Sequence, residues 1–555
     1  MPSMKKIVNG IVTLSAVLML LLMALVIYVK SAAHIDEPQV KDESSLKLQR
    51  IDEGNGFYTL GNNWFRKSRS GLYELYVGGK AFDRGVINGK LTTELVVRQE
   101  EHFAEQIYKM VPSKFNRGFL KDFIGFFNRN LDKHIAPEYL DEIYGVSFSA
   151  SDKFRFLGSN YERLLNYHAA HDIGHALQNL ALVGCTSFGT WKSMSADSTM
   201  IIGRNFDFYV GDKFSEEKIV SFTKPEKGHR FMSVTWGGFI GVISGMNDAG
   251  LAVTINAAKS DYPLASATPV SIVTREILQY AGNIREAIAI AKSRKMFVSE
   301  SFLVASAADG KAVIIEKTPN DLDVYDPHRD YIICTNHFQS NVLSRSEKNQ
   351  EQLKESASPY RYERMQELLA AGGKNTVQKT VDILRDRKGL HGASIGNGNE
   401  KAVNQLISHH SIVFEPQKLR VWVSTAPWQL GQYVCYDLSK VFALEGMKVN
   451  REVAEDSLGI APDPFLQTEE FRRFERFRKY KQALMDGQEV NADSLVASNP
   501  DFYLAYVLAA DYLYRKKDFK KALPFYRKAL TLEIATGNEE AHIRKQINKI
   551  ESKQQ

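Results

Sequence analysis

The chain has 555 residues, of which 44% are hydrophobic and 25% charged, and a formal net charge of +6. The length exceeds one ordinary domain and suits two or three, and the composition excludes collagen-like, disordered and disulfide-scaffold proteins. So small a charge, with no Lys/Arg cluster among stacking aromatics, predicts no nucleic-acid partner.

Ile7 to Val29 is an uncharged, largely apolar run preceded by Lys5 and Lys6. A helix of about 20 apolar residues crosses a bilayer, whereas the apolar core of a signal peptide is usually ~7–15 residues. Residues 1–34 are therefore expected as an uncleaved anchor and its flank, held in a membrane through 7–29; Ser31-Ala32-Ala33 offers the alternative of cleavage and secretion. The lysines keep the N-terminal end cytoplasmic and put the bulk outside, which in a bacterium is the periplasm. Residues 35–71 read as a polar linker.

Residues 72–184 read as a small, mostly helical segment. Leu72 to Val77 alternates and ends in Gly78-Gly79, a strand signature, and helices are expected near 91–110, 116–133 and 160–180. From Cys185 to about 450 strands dominate: 200–208, 231–236, 239–244, then the turn 247–250 and a returning strand 251–256. Hairpins follow at 302–316 and 411–423, with helices expected over 270–294, 360–371 and 376–385 between strands. Tight turns between strands give antiparallel sheets, and inserted helices make the class α+β rather than a doubly wound parallel sheet.

Residues 451–555 read as a helical tail, with helices near 467–484 and 538–551 flanking a hairpin over 502–532. Ala510, Ala522, Tyr526 and Ala529 sit where a tetratricopeptide-like hairpin needs small and aromatic residues. Such repeats usually need about three copies to stand alone. A cap docked on the catalytic domain is therefore expected, with a protein-partner module as the alternative.

Three cysteines are too few, and odd in number, for a disulfide framework. Cys334 and Cys435 lie in strand-like runs and read as buried small hydrophobes. Cys185 differs, lying between Gly184 and Thr186 just after a helical segment ends. A mid-chain thiol, with a pKa near ~8.5, is a weak nucleophile at neutral pH. Breaking the Gly184–Cys185 bond would free an α-amine of pKa about 7.7–8.0 on the same residue, which then supplies both nucleophile and base. Gly184 presents no side chain against attack on its carbonyl. A strand over 200–208, paired beside one starting at Cys185, would bring Arg204 to the thiolate and Asp207 to the α-ammonium; read alone, the two are a surface ion pair near a turn.

Cys-Thr followed by Gly203-Arg-Asn-Phe-Asp207 resembles the choloylglycine (conjugated bile acid) hydrolases and the acyl-CoA:6-aminopenicillanate acyltransferases. Both belong to the N-terminal-nucleophile superfamily, whose fold is an αββα sandwich. Asn247 to Asn256 is similar to the family's Asn-x-x-Gly-Leu-Ala-x-x-x-Asn stretch, Thr335-Asn336 to its Thr-Asn pair, and Ser358-Pro-Tyr-Arg361 to its Ser-Pro-x-Arg. The resemblance implies that Asn256 helps form an oxyanion hole, that Asn336 polarises the scissile carbonyl and that Arg361 supports Cys185. Upstream, Tyr73 to Gly89 resembles the opening of the acyltransferase precursor, which cuts its own Gly-Cys bond and keeps both pieces together. The resemblance covers roughly residues 70–440 and says nothing of the anchor or tail.

Two features compete. His168, His171 and His175 have a helical spacing seen in zinc sites, but Asp172 stands where that motif needs Glu, so no metal is expected. His337 beside Asn336 suggests a Cys–His dyad, which a free α-amine makes unnecessary. The expected protein is thus a self-cleaving cysteine hydrolase of a linear amide in an N-acylated small molecule or lipid. It would need no metal or organic cofactor, and its two cleaved chains would stay associated. Acyl transfer to an amine is the alternative; a membrane-tethered helical scaffold without catalysis is another.

Overall fold

Short runs of β-branched and aromatic residues between glycine-rich turns build two sheets in the computed structural model, which describes residues 4–110, 113–177, 184–208, 211–261, 263 and 265–554. In chain order the strands are β1 (Ile51–Gly54), β2 (Phe57–Leu60), β3 (Asn63–Lys67), β4 (Tyr73–Gly79), β5 (Thr186–Thr190), β6 (Ile201–Phe206), β7 (Ile219–Pro225), β8 (Phe231–Thr235), β9 (Ser244–Asn247), β10 (Leu251–Ala258), β11 (Ser299–Ser306), β12 (Lys311–Lys317), β13 (Leu322–Tyr325), β14 (Tyr331–Cys334), β15 (His410–Glu415), β16 (Arg420–Ser424) and β17 (Tyr433–Asp437). An 11-stranded sheet runs β1-β2-β3-β4-β7-β8-β9-β10-β11-β12-β13, and a 6-stranded sheet runs β14-β5-β6-β15-β16-β17. All pairings are antiparallel except β4 with β7.

Side chains alternate across a strand, and the alternation fixes the layers. Ala252 of β10 and Leu303 of β11 meet Ile202, Ile332 and Ile412 of the smaller sheet in a core between the two sheets. Val253 and Ile255 of β10 turn the other way, onto helices Pro137–Ser147, Asn160–Leu177, Val270–Tyr280 and Ile284–Ser293. Ile201 and Val413 face helices Ser358–Ala370 and Val377–Leu384 on the far side of the smaller sheet. The order helix, sheet, sheet, helix is an αββα arrangement of the α+β class, as the resemblance implies.

Gly203 sets how closely the last helix approaches β6. A Cβ there would lie 2.6 Å from Thr380 Cγ2, 2.9 Å from Phe188 Cε1 and 3.3 Å from Leu384 Cδ1. Gly203→Ala is expected to destabilise by about 1–3 kcal/mol through overpacking, read as a lowered thermal midpoint. An unchanged midpoint would show that the Val377–Leu384 helix yields at no cost.

Several expectations need correction. The segment read as a linker, 35–71, contributes β1, β2 and β3 to the larger sheet, and Phe57, Leu60, Trp64 and Phe65 are buried. Phe239 to Ile243 is not strand. There Ile240 N–H donates to His168 Nε2 at 3.0 Å and Val242 N–H to Ser271 O at 2.9 Å, partners outside any ladder. The helix expected over 270–294 is two, broken before Asn283, whose side chain caps the second by accepting from Glu286 N–H at 3.1 Å. Helices Ala81–Leu91 and Pro137–Ser147 were not anticipated, and the helix expected over 116–133 is Lys114–Phe127. Residues 178–180, the end of the helix expected over 160–180, lie outside the described residues.

Helix Met4–Ala32 is exposed over its apolar span and long enough to cross a bilayer, a property shared by membrane anchors and signal sequences. At the other end five helices from Glu469 to Gln554 pack around a core that also takes in Leu406, Trp428 and Leu430 of the preceding part of the chain. Ala510, Ala522, Tyr526 and Ala529 are fully buried where Tyr503–Arg515 and Phe519–Ala529 pair. This helical region is also fastened to the sheet-bearing part by a reciprocal pair: Asn397 N–H donates to Asn499 Oδ1 at 3.2 Å and Asn499 Nδ2 to Asn397 O at 2.8 Å.

Candidate active site

β5 and β6 pair with Ser187 opposite Arg204 and Thr186 opposite Asn205. Cys185, one residue before β5, therefore lies on the face shared by Ser187 and Arg204, turned toward the larger sheet. Arg204 is completely buried. Its guanidinium donates to Ile255 O at 2.6 Å, Ile243 O at 3.2 Å, Ser244 Oγ and, from Nη2, Cys185 Sγ at 3.7 Å. Cys185 is 1% exposed, so the sulfur of the uncut chain is covered. Burial pushes its thiol up and Arg204 opposes the shift, leaving a net rise. Asn205 faces away and has a structural task, donating to Leu384 O at 2.8 Å and Val403 O at 3.0 Å at the end of a helix.

Asp207 follows β6 and is also buried. Its backbone carbonyl accepts from Gly184 N–H at 3.0 Å, and its carboxyl accepts from Ser408 Oγ and, at 3.5 Å, Gln405 Nε2. Burial lifts the carboxyl to about 7, with the Ser408 hydrogen bond as the main opposing influence. Gln405 Nε2 also donates to the Gly184 carbonyl at 2.7 Å.

Asn256 points between the sheets. Its Oδ1 accepts from Ser187 Oγ at 2.8 Å and its Nδ2 donates to Cys334 O at 3.0 Å. Asn336, just past β14, donates from Nδ2 to Ala257 O at 2.9 Å, while its Oδ1 accepts from Arg361 Nη2 at 2.6 Å. Arg361 is held in turn by Glu400 O at 2.8 Å. In both asparagines the amide oxygen is anchored and each amide group has a second N–H beyond the bond described. The Ser-Pro-x-Arg motif serves twice, because Ser358 Oγ accepts from Asn336 N–H at 2.7 Å and donates to Thr335 Oγ1 at 2.9 Å. All six expected residues thus converge on the ends of β5, β6, β10 and β14.

Of the competing histidines, His337 and His168 are committed elsewhere. His337 Nδ1 lies 2.9 Å from Ser358 Oγ and 3.1 Å from Thr335 Oγ1, and burial lowers it to about 4. His168 donates from Nδ1 to Leu164 O at 2.7 Å and accepts Ile240 N–H at Nε2, so both ring nitrogens are used; burial lowers it to about 4. The side chains of His171 and His175 lie outside the described residues. Among the described residues no group of His, Cys, Asp and Glu is arranged to hold a metal ion. Cys334 and Cys435 are buried and unpaired.

Sequence reasoning missed Ser244, Gln405 and Ser408. They are lone polar residues with no fixed spacing to Cys185. The only signal available was the clustering of Ser408, His409 and His410 at the start of a strand.

Residues 194–427 match the family model of acyl-coenzyme A:6-aminopenicillanic acid acyl-transferase. The matched span begins downstream of Cys185 and takes in Arg204, Asp207, Asn256, Asn336 and Arg361. An uncharacterized protein of Archaeoglobus fulgidus is 26% identical over 256 residues, 44% of this chain and 42% of its own length, so the chain spans less than half of that relative. Among solved structures, an N-acylethanolamine-hydrolyzing acid amidase ortholog of Caenorhabditis elegans is 19% identical, with a TM-score of 0.30, over 42% of this chain and 93% of its own. Penicillin V acylase of Agrobacterium tumefaciens is 15% identical, with a TM-score of 0.30, over 46% and 87%. A conjugated bile acid hydrolase of Clostridium perfringens is 13% identical, with a TM-score of 0.29, over 49% and 96%. By its sequence match, the segment 194–427 is similar to the acyl-coenzyme A:6-aminopenicillanic acid acyl-transferase family.

Proposed function

We propose that the chain is a cysteine amidohydrolase that cuts itself between Gly184 and Cys185 and then cleaves a linear amide of an N-acylated small molecule or lipid. The observation carrying this reading is the Arg204 Nη2 to Cys185 Sγ contact of 3.7 Å, at a residue preceded by a glycine whose N–H and C=O are both held. In the cut enzyme the Cys185 sulfur attacks the substrate carbonyl, and its α-amine takes the thiol proton and returns it to the leaving nitrogen. Arg204 steadies the developing thiolate and Asp207 faces the α-ammonium. The free N–H groups of Asn256 and Asn336, the latter aimed by Arg361, receive the oxyanion. Donors of this kind are typically worth about 3–4 kcal/mol each. Nucleophile, base and oxyanion donors all come from the chain, so the reaction calls for no metal or organic cofactor. The covered sulfur of the uncut chain fits a site that opens only once the bond is broken.

The apolar helix Met4–Ala32 supports a tethered enzyme whose catalytic part lies outside the cytoplasm, in a bacterium the periplasm. The helical tail, packed on the preceding part of the chain, supports a docked cap, with a protein-partner module as the alternative. The two chains stay together because the segment before Cys185 supplies β1 to β4 of the larger sheet. The family match favours a second reading, transfer of the acyl group to an amine.

A panel of N-acyl amides of graded acyl length, offered with and without a free amine acceptor, separates the readings. Amine release and free acid in water are expected. Acyl transfer without hydrolysis would overturn the hydrolase, and no turnover of any amide by a cut chain would overturn both.

A further inference from the structure

The Gly184 carbonyl is not free in the uncut chain. Gln405, 2% exposed, donates to it from Nε2 at 2.7 Å and reaches Asp207 Oδ2 with the same nitrogen at 3.5 Å. Both neighbours are acceptors, which settles the amide orientation with its NH₂ group toward them. The fit depends on Gly184 having no side chain, since a Cβ there would collide with the Gln405 amide, 2.8 Å from its Cδ. The glutamine is held on both sides. Asn404 N–H donates to Asp386 O at 2.8 Å, and His409 N–H rejoins β6 at Phe206 O at 2.9 Å. Upstream, Glu400 O accepts from Arg361, and Asn399 Nδ2 donates to Glu533 O of the helical tail at 2.9 Å. A residue more than two hundred positions along the chain is thus fixed on the oxygen of the one peptide bond that the proposed function needs broken.

We propose that Gln405 is a catalytic residue of the self-cleavage step, donating a hydrogen bond to the Gly184 oxygen as negative charge develops on it. This rests on the self-cleavage reading and gives that step its own oxyanion donor, distinct from Asn256 and Asn336. The Cys185 Sγ–carbon bond forms as the carbonyl electron pair moves onto the Gly184 oxygen. The thiol proton passes to the Cys185 nitrogen, and the carbon–nitrogen bond breaks, leaving a Gly184 thioester and a free α-amine. Water then adds to the thioester, releasing the Gly184 carboxylic acid and restoring the thiol. Atoms balance with one water consumed and no oxidant or reductant. Charge on an oxygen that already accepts an amide N–H is stabilised without reorganisation, which is why removing one such donor typically costs 10²–10³-fold in rate.

The test follows conversion of newly made full-length precursor by intact mass, comparing wild type, Gln405→Ala and Gln405→Glu. Gln405→Ala is expected to slow cleavage by about 10²-fold or more. Gln405→Glu keeps the size of the side chain, so it guards against simple misfolding. Its carboxylate would repel the oxyanion at pH 8, but once protonated it donates an O–H, so its rate relative to wild type should recover as pH falls. A purely structural role for Gln405 would not give that pH signature. Wild type cut and Gln405→Ala cut at the same rate, or a Gln405→Glu deficit flat with pH, overturns this role alone. A wild-type chain that stays uncut overturns the self-cleavage reading and this role with it.

Discussion

Replacing Cys185 by alanine is expected to leave the chain folded, uncut and inactive on every amide. The substitution removes one sulfur atom from a side chain that is 1% exposed. Arg204 keeps its bonds to Ile243 O, Ile255 O and Ser244 Oγ, so no buried charge is stranded and the stability change should stay within about 1 kcal/mol. The effect on rate is of another order. Deleting the nucleophile of a covalent mechanism costs on the order of 10⁶ in kcat, which puts turnover below detection. Self-cleavage vanishes with it because the same sulfur serves both reactions. The two reactions should differ in pH dependence. Before cleavage burial holds the thiol up against Arg204, so cleavage should accelerate as pH rises through the alkaline side of neutrality. After cleavage the base is an α-amine near ~7.7–8.0, and turnover should follow that group. Intact masses and the N-terminal sequence of the fragments decide the matter. A Cys185→Ala chain that is cut, or that still turns over amide, would remove Cys185 from the mechanism.

The six residues proposed for the site could be picked out in the sequence because each sits in a short pattern tied to a strand end or helix start. Arg204 and Asp207 follow from one pairing register, β5 against β6, which the strand-like runs on either side of the turn already implied. Gln405 was not legible, since it lies in an irregular stretch where neither a period of two nor one of 3.6 marks a face. Its role comes only from the fold that lays it on Gly184. The first three strands were missed for a different reason. Polar turns at Gly54-Asn55-Gly56 and Gly61-Asn62 punctuate segments of only four or five residues, too short for alternation to stand out. Asn55-Gly56, with both residues at positive φ, is a hairpin signal that flanking Phe57, Trp64 and Phe65 support. The broken helix at Asn283 shows the same principle, because its Gly-Asn stop and cap are local chemistry overriding an apolar pattern that ran on through it.

Glu142→Ala should produce the largest loss of stability of any single change away from the site. Glu142 is 2% exposed on a helix of the segment before Gly184, and its Oε2 accepts from Arg84 and, at 3.0 Å, from Arg275 Nη2. Arg275 stands on helix Val270–Tyr280, beyond Cys185, and also donates to Ile240 O at 2.9 Å. One carboxylate therefore joins the two proposed chains and neutralises guanidiniums that are 1% and 2% exposed. Alanine would strand both charges, and breaking a buried ionic group from one side costs about 3–5 kcal/mol. Replacing all three residues by apolar ones of similar volume should cost far less, because the penalty comes from unpaired charge and not from lost attraction. Burial alone would push the Glu142 carboxyl up, but Arg275 and Arg84 outweigh it and hold it below the usual carboxylate range. Its contribution is therefore complete above the unfolded value of about 4.3 and is lost as pH falls through the lower folded value. In the uncut Cys185→Ala background, the urea midpoints with and without Glu142 should differ most near neutrality and converge in acid. Equal midpoints at pH 7 would mean that the sheet pairing of β4 with β7 alone carries the junction.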